Sequence, residues 1–142
     1  MGEEGYGKGE EGTTWRVSEP QGTPVSSFED LRVWQAGIDL AETLYVLTEQ
    51  FPDHERFGLT SQLRRASVSV PSNIAEGWGR GSRQDYVRFL RIARGSLYEI
   101  RTQLVIAQRV GLASGADADR LSRSVETLRR QLQGLVTSLQ HG

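Results

Sequence analysis

Apolar residues recur along most of this chain at alternating steps of three and four. Tyr86, Leu90, Ala93, Leu97, Ile100, Leu104 and Ala107 keep that rhythm without a fault and predict an amphipathic helix. Gly111 stands where a left-handed cap is expected, with Leu112 as its apolar follower. Leu121, Val125, Leu128, Leu132, Leu135 and Leu139 predict the next helix, with Ser114 or Asp117 as its cap. Near the other end, Leu31, Trp34, Ile38, Ala41 and Tyr45 form one row. Leu40, Leu44, Leu47 and Phe51 form a second row beside it, and together they make a broad apolar face. Ser26 and Glu29 have capping-box spacing, which starts this helix near Ser27, and Pro52 ends it.

The stretch SVSVPSNIAEGWGR, residues 67–80, interrupts the pattern with a Ser–Val alternation and a proline. The alternation covers four residues, whereas Leu59, Leu63, Ala66, Val70 and Ile74 carry a helical stripe straight through it. A lone strand among long helices has no partner to bond. A helix from about Glu55 to Glu76 is therefore expected, kinked at Pro71, which deprives the Ser67 carbonyl of its donor and leaves serine hydroxyls or water to satisfy it. Four helices of similar length with short connections predict an all-α, antiparallel up-down four-helix bundle over residues 26–142. Residues 1–25 are rich in Gly and Glu and are expected to form a disordered acidic tail, although Trp15 and Val17 could dock a short piece of it.

Composition narrows the chemistry. The chain has 142 residues, 37% hydrophobic and 25% charged, which suits one soluble domain with a real core. The absence of cysteine excludes disulfides, thiolate metal sites and cysteine nucleophiles. The two histidines, His54 and His141, fall in a turn and at a chain end, and no metal or cofactor site is apparent. The longest aliphatic run, Leu104–Ala107, is far too short to span a membrane. The N-terminus lacks the pattern of a signal peptide, so a cytoplasmic location is expected.

The net charge of −1 is unevenly spread. Residues 1–30 sum to −5, 31–53 to −3, 54–109 to +6 and 110–142 to +1. Arg80, Arg83, Arg88, Arg91 and Arg94 are candidates for contacts to nucleic-acid phosphates, and Arg101 lies on the same helix. A solvated, salt-bridged face is the alternative.

Gly77-Trp78-Gly79-Arg80-Gly81-Ser82 precedes a helix whose cap would be Ser82, with Asp85 closing the box. A phosphate cradle is one reading; a helix–helix turn with left-handed glycines is the other. Asn73 and Glu76 could join Arg64 or Arg65 in a buried network between helices. They could instead do acid–base work with Glu99 as second carboxylate. Gly95-Ser96 should let its helix approach the kinked part of the second one closely, offsetting the poor helix propensity of glycine.

The blocks Leu59-Thr60-Ser61-Gln62-Leu63-Arg64-Arg65-Ala66, Pro71-x-Asn73-Ile74-Ala75-Glu76-Gly77 and Ala93-Arg94-Gly95-Ser96-x-x-Glu99 resemble the four helix bundle protein family. It is also called the 23S rRNA intervening-sequence protein or S23 ribosomal protein family. The resemblance covers residues 28–139 and leaves out 1–25. It implies a small bacterial bundle, often a homopentamer; apolar residues beyond the main stripe, such as Phe89, Ile92 and Val136, would widen the face for such an assembly. Arg65, Pro71, Asn73, Glu76, Gly77, Gly95, Ser96 and Glu99 are the motif positions expected to act structurally.

Three functions follow as expectations. The first is a non-enzymatic, oligomeric interaction protein whose further partner is RNA, DNA or a nucleic-acid-handling protein. A related bundle is the accessory protein of diversity-generating retroelements, which partners a reverse transcriptase, but it is strongly basic where this chain is not. The second is an enzyme using Glu76 and Glu99. The third is a purely structural assembly.

Overall fold

The structure, a computed structural model, describes residues 5–8, 14–17 and 25–141. Four helices dominate it: α1 (Arg32–Glu49), α2 (Leu59–Gly79), α3 (Arg83–Arg109) and α4 (Gly115–His141). Each packs on the next, and α4 returns against α1. This is the expected four-helix bundle. Its core runs through Leu44, Leu63, Ile74, Leu90, Leu97 and Leu132, all fully buried.

Most of the segment read as a disordered tail lies outside the described residues. Two pieces of it are strands, β1 (Gly5–Lys8) and β2 (Thr14–Val17), paired antiparallel with Gly5 opposite Val17 and Lys8 opposite Thr14. Tyr6, Thr14, Trp15 and Val17 are residues that favour extended backbone. Val25 is fully buried in the core, so the bundle takes in the last residue assigned to the tail.

The start of the first helix differs from its expected form. Ser27, not Ser26, is the cap: its Oγ accepts the Glu29 N–H at 3.2 Å. The Asp30 carboxylate accepts from the Ser26 N–H at 2.9 Å, the Ser26 hydroxyl at 2.8 Å and the Ser27 N–H at 3.1 Å. These donors hold its carboxyl below the usual range. The capped turn, Phe28–Asp30, is 3₁₀, and extended Leu31 separates it from α1.

The face of α1 is also narrower than the sequence pattern implies. Val33, Gly37, Leu40, Leu44 and Leu47 are buried, whereas Ile38 and Tyr45 are 39% and 43% exposed. A second 3₁₀ turn, Asp53–Glu55, and the non-helical Gly58 delay the start of α2 to Leu59.

α2 continues through Pro71 to Gly79, and no strand forms at 67–70. The nearby serines serve other carbonyls than that of Ser67. Ser67 Oγ donates to Arg64 O at 2.8 Å and Ser69 Oγ to Ala66 O at 2.7 Å. The buried proline ring packs on α1 at Gly37, where an added Cβ would stand 3.4 Å from Pro71 Cβ and Cδ.

Between α2 and α3 the chain turns in three residues, with Gly81 at φ +86° and Ser82 capping α3 through the Asp85 N–H at 3.1 Å. α3 ends as expected: Gly111 has φ +80°, Leu112 N–H donates to Ala107 O at 2.8 Å, and Gly111 N–H to Gln108 O at 3.1 Å. That pair of bonds is a Schellman motif. Ser114 caps α4 by accepting the Asp117 N–H at 3.1 Å.

Candidate nucleic-acid interface

The five predicted arginines do not form one site. Arg80 and Arg88 belong to a corner at the α2–α3 turn. Arg80 lies 4.0 Å from Glu76 and 3.9 Å from Asp85, and Arg88 lies 3.6 Å from Asp85. Both guanidinium groups stand over the Phe89 ring, at 5.4 and 4.6 Å from its centroid. Two arginines and two carboxylates cancel there. Asp85 already supplies the anion that the N-terminus of α3 would attract. The phosphate-cradle reading of residues 77–82 therefore gives way to the helix–helix turn.

Arg91 and Arg94 belong to a different face. With Tyr98 and Arg101 they follow steps of three, four and three along α3, which places them on one side of the helix. That side meets α4. Arg94 donates to the Gln133 side-chain amide oxygen, Arg129 interacts with the Tyr98 side chain, and Arg101 acts on Glu126. Arg130 adds a further guanidinium, 4.0 Å from Glu126. Arg83, eleven residues before Arg94, falls on the same side of α3.

The electrostatics of this face are lopsided. Arg101, Arg129 and Arg130 act on a single carboxylate, Glu126, while Arg94, bonded to Gln133, and Arg91 lie farther along the same face. Arg129 holds that carboxylate with two bonds, Nε to Oε2 at 2.9 Å and Nη2 to Oε1 at 2.7 Å. Those bonds keep Glu126 below the usual carboxylate range and raise Arg129 further. Arg91 is exposed and has no carboxylate partner among the described residues, and Arg94 is tied only to a neutral amide. Tyr98, in the middle, is 54% exposed.

The remaining motif residues serve the fold in ways that differ from expectation. No Asn73–Glu76–Arg network forms. Asn73 Nδ2 donates back to Ser69 O at 2.7 Å, and Glu76 faces Arg80. Arg64, not Arg65, ties α2 to α1. Its Nε donates to Thr48 Oγ1 at 2.8 Å, its Nη2 lies 3.1 Å from Glu49, and it stacks 4.6 Å over the Tyr45 ring. Arg65 is exposed without a polar partner among the described residues.

Ser96 meets α2 through the Ser69 hydroxyl, but Gly95 faces outward with nothing within 4 Å of a Cβ. The close approach falls at Gly77 instead. The Ser69–Ser96 contact fixes the antiparallel register of α2 and α3. It puts Glu76 and Glu99 ten residues of helical rise apart, about 15 Å, so they do not form an acid–base pair.

Phe89 and Val136, expected to widen an outer face, are buried in the protomer's own core; Ile92 remains 43% exposed. Other exposed apolar residues include Ile38 and Tyr45 on α1, Val68 on α2, and Val105, Ile106 and Val110 at the end of α3. Between α1 and α4 runs a shallow groove of about 460 Å³, lined among others by Asp39, Thr43, Arg120, Arg123 and Gln131. No cluster of His, Cys, Asp and Glu suited to a metal ion occurs among the described residues. No helix among them is long and apolar enough to cross a membrane.

Two comparisons fit this architecture. Residues 29–134 match the family described as 23S rRNA-intervening sequence protein. A solved structure of a protein with unknown function from the S23 ribosomal protein family of Bacteroides thetaiotaomicron superposes with a TM-score of 0.69. It is 19% identical over 73% of this chain and 97% of its own, a likeness that carries the fold alone. No curated protein matches.

Proposed function

We propose, for a chain that belongs to the 23S rRNA-intervening sequence protein family, a non-enzymatic role as an interaction protein. It associates with further copies of itself through the apolar α1–α2 side and binds nucleic-acid phosphates on the α3–α4 side. The observation that carries the reading is the arginine face: Arg91 and Arg94 without a carboxylate partner among the described residues, in line with Arg101 and beside Arg129 and Arg130, whose one carboxylate, Glu126, Arg129 already occupies. Phosphate contacts of this kind supply sequence-independent affinity. Self-association brings several such faces into one particle, and the field over each grows with the number of copies. The pentamer that the family resemblance implies would present five.

The α1–α2 side supports the assembly half of the reading. Ile38 and Val68 leave apolar area in water, beside a Tyr45 ring that Arg64 covers in part. Light scattering of Val68→Asp beside the parent chain tests it. The parent should run as an oligomer at micromolar concentration and the variant as a smaller species; a monomeric parent overturns it.

Fluorescence anisotropy with a labelled mixed-sequence oligonucleotide tests the binding half. Affinity should fall steeply between about 50 and 200 mM salt. The triple variant Arg91→Ala, Arg101→Ala, Arg130→Ala should flatten the log–log salt slope by about 2 to 3. No binding by the parent chain at low salt, or an unchanged slope, refutes the interface.

A further inference from the structure

On the reading that the arginine face binds nucleic acid, we infer that its ligand is single-stranded, with a base stacked on the ring of Tyr98. Tyr98 is one of the most exposed aromatic residues of the bundle, 54% accessible in the middle of a 27-residue helix. It adds little to the core. Arg94 lies one turn before it, Arg101 one turn after it, and Arg129 beside it on α4. An exposed aromatic ring in line with arginines a turn away on either side is the composition of a single-strand track: charges hold the backbone while a π-face takes a base.

A duplex does not call for the ring. Its bases are stacked on one another and its phosphates need only charge, so a tyrosine in the centre of the face would be idle. In a single strand the bases are unstacked and free to meet it. Arg94 and Arg91, on the N-terminal side of the ring, are the arginines that can hold adjacent phosphates, because Arg94 is tied only to the neutral Gln133 amide and Arg91 has no carboxylate partner among the described residues, whereas Arg129 is engaged by Glu126. Nothing in this arrangement reads a base edge, so sequence preference should be weak.

The test compares three ligands, a thymidine 20-mer, a uridine 20-mer and a 20-base-pair duplex, against the full chain and two variants. Tyr98→Leu keeps apolar bulk and removes the ring; Tyr98→Trp keeps a stacking surface. Tyr98 is exposed, so both variants should melt within a few degrees of the parent. The parent should bind a single strand more tightly than the duplex. Tyr98→Leu should weaken single-strand binding about tenfold, Tyr98→Trp should restore it, and duplex binding should not change. Whichever of thymidine and uridine binds more tightly names the source, DNA or RNA. If the parent binds single strand and duplex alike and Tyr98→Leu changes neither, the stacking inference fails while the phosphate interface stands. If the parent binds none of the three, the interface itself fails.

Discussion

Gly77 and Phe89 are packed so closely that a Cβ on the glycine would lie 2.7 Å from the phenylalanine Cβ. Real side chains do not tolerate that separation, so α2 and α3 can close above their turn only because residue 77 has no side chain. Phe89 is held from its other side as well, under Arg80 and Arg88.

A series of three glycine-to-alanine substitutions follows from this contact. Gly77→Ala should cost about 1–3 kcal/mol through overpacking. Gly37→Ala, whose Cβ would reach Pro71 at 3.4 Å, should be close to neutral, because the tight contact offsets the better helix propensity. Gly95→Ala has open space around it and should stabilise the protomer by about 0.5–1 kcal/mol. Urea denaturation of the three variants should give that order. Equal effects at 77 and 95 would show that helix propensity, not contact, governs both.

Arg64 and Arg65 are adjacent in sequence and should behave very differently. Arg64→Ala removes the hydrogen bond to buried Thr48 and the stack on Tyr45, which together fasten α2 to α1. A loss of about 1–2 kcal/mol is expected. Lysine should restore little of it, since it cannot reproduce the planar stack and Nε bond together. Arg65→Ala should stay within about 0.5 kcal/mol of the parent. Thermal melting of the three variants checks the contrast.

These cases show what could be read from the chain and what could not. The stripes of α3 and α4 were legible because the residues named for them keep helical spacing, and those residues are buried, although α3 also carries exposed Ile92, Val105 and Ile106 off the stripe. The first helix misled because Ile38 and Tyr45 are as apolar as the core row but lie on its flank. Contacts between helices depend on register, which no local pattern encodes. The pairing of Arg80 and Arg88 with Asp85 is, by contrast, short-range: Arg88 stands three residues after it on the same helix and Arg80 just across the turn. Arg129 and Arg130 escaped notice because they reach the α3 stripe only across the α3–α4 contact. The spacing of Arg91, Arg94, Tyr98 and Arg101 was the one local signal of the face.

Acid should loosen the start of the bundle in a defined direction. Asp30 accepts from two backbone N–H groups and one hydroxyl, so its folded carboxyl titrates below its unfolded value. The stability it contributes is present in full above the unfolded carboxylate range and is lost as pH falls through the lower folded value. Asp30→Asn cannot gain or lose that charge. Its melting temperature should lie below the parent's near neutrality, and the gap should narrow as pH drops below about 4. A gap that stays constant with pH would mean that the capping turn does not depend on the charge of Asp30.

The acidic N-terminal segment should compete with nucleic acid for the arginine face. Residues 1–24 carry five glutamates against Lys8 and Arg16, a net of −3, while residues 25–142 sum to +2. Covalent attachment to the bundle sets an effective concentration for those carboxylates against any free ligand of the guanidinium groups. Their attraction is screened beyond about 8 Å at physiological ionic strength, so the competition belongs to dilute buffer. The deletion should stop at residue 24, because Val25 is fully buried and its loss would open the core. Removing residues 1–24 should tighten binding of a single-stranded 20-mer several-fold at about 50 mM salt and make the salt dependence steeper. Adding Arg91→Ala and Arg101→Ala to the truncated chain should abolish the gain, because both residues belong to the face the segment would cover. Equal affinities for the full and truncated chains at low salt would mean that the segment does not reach the arginine face.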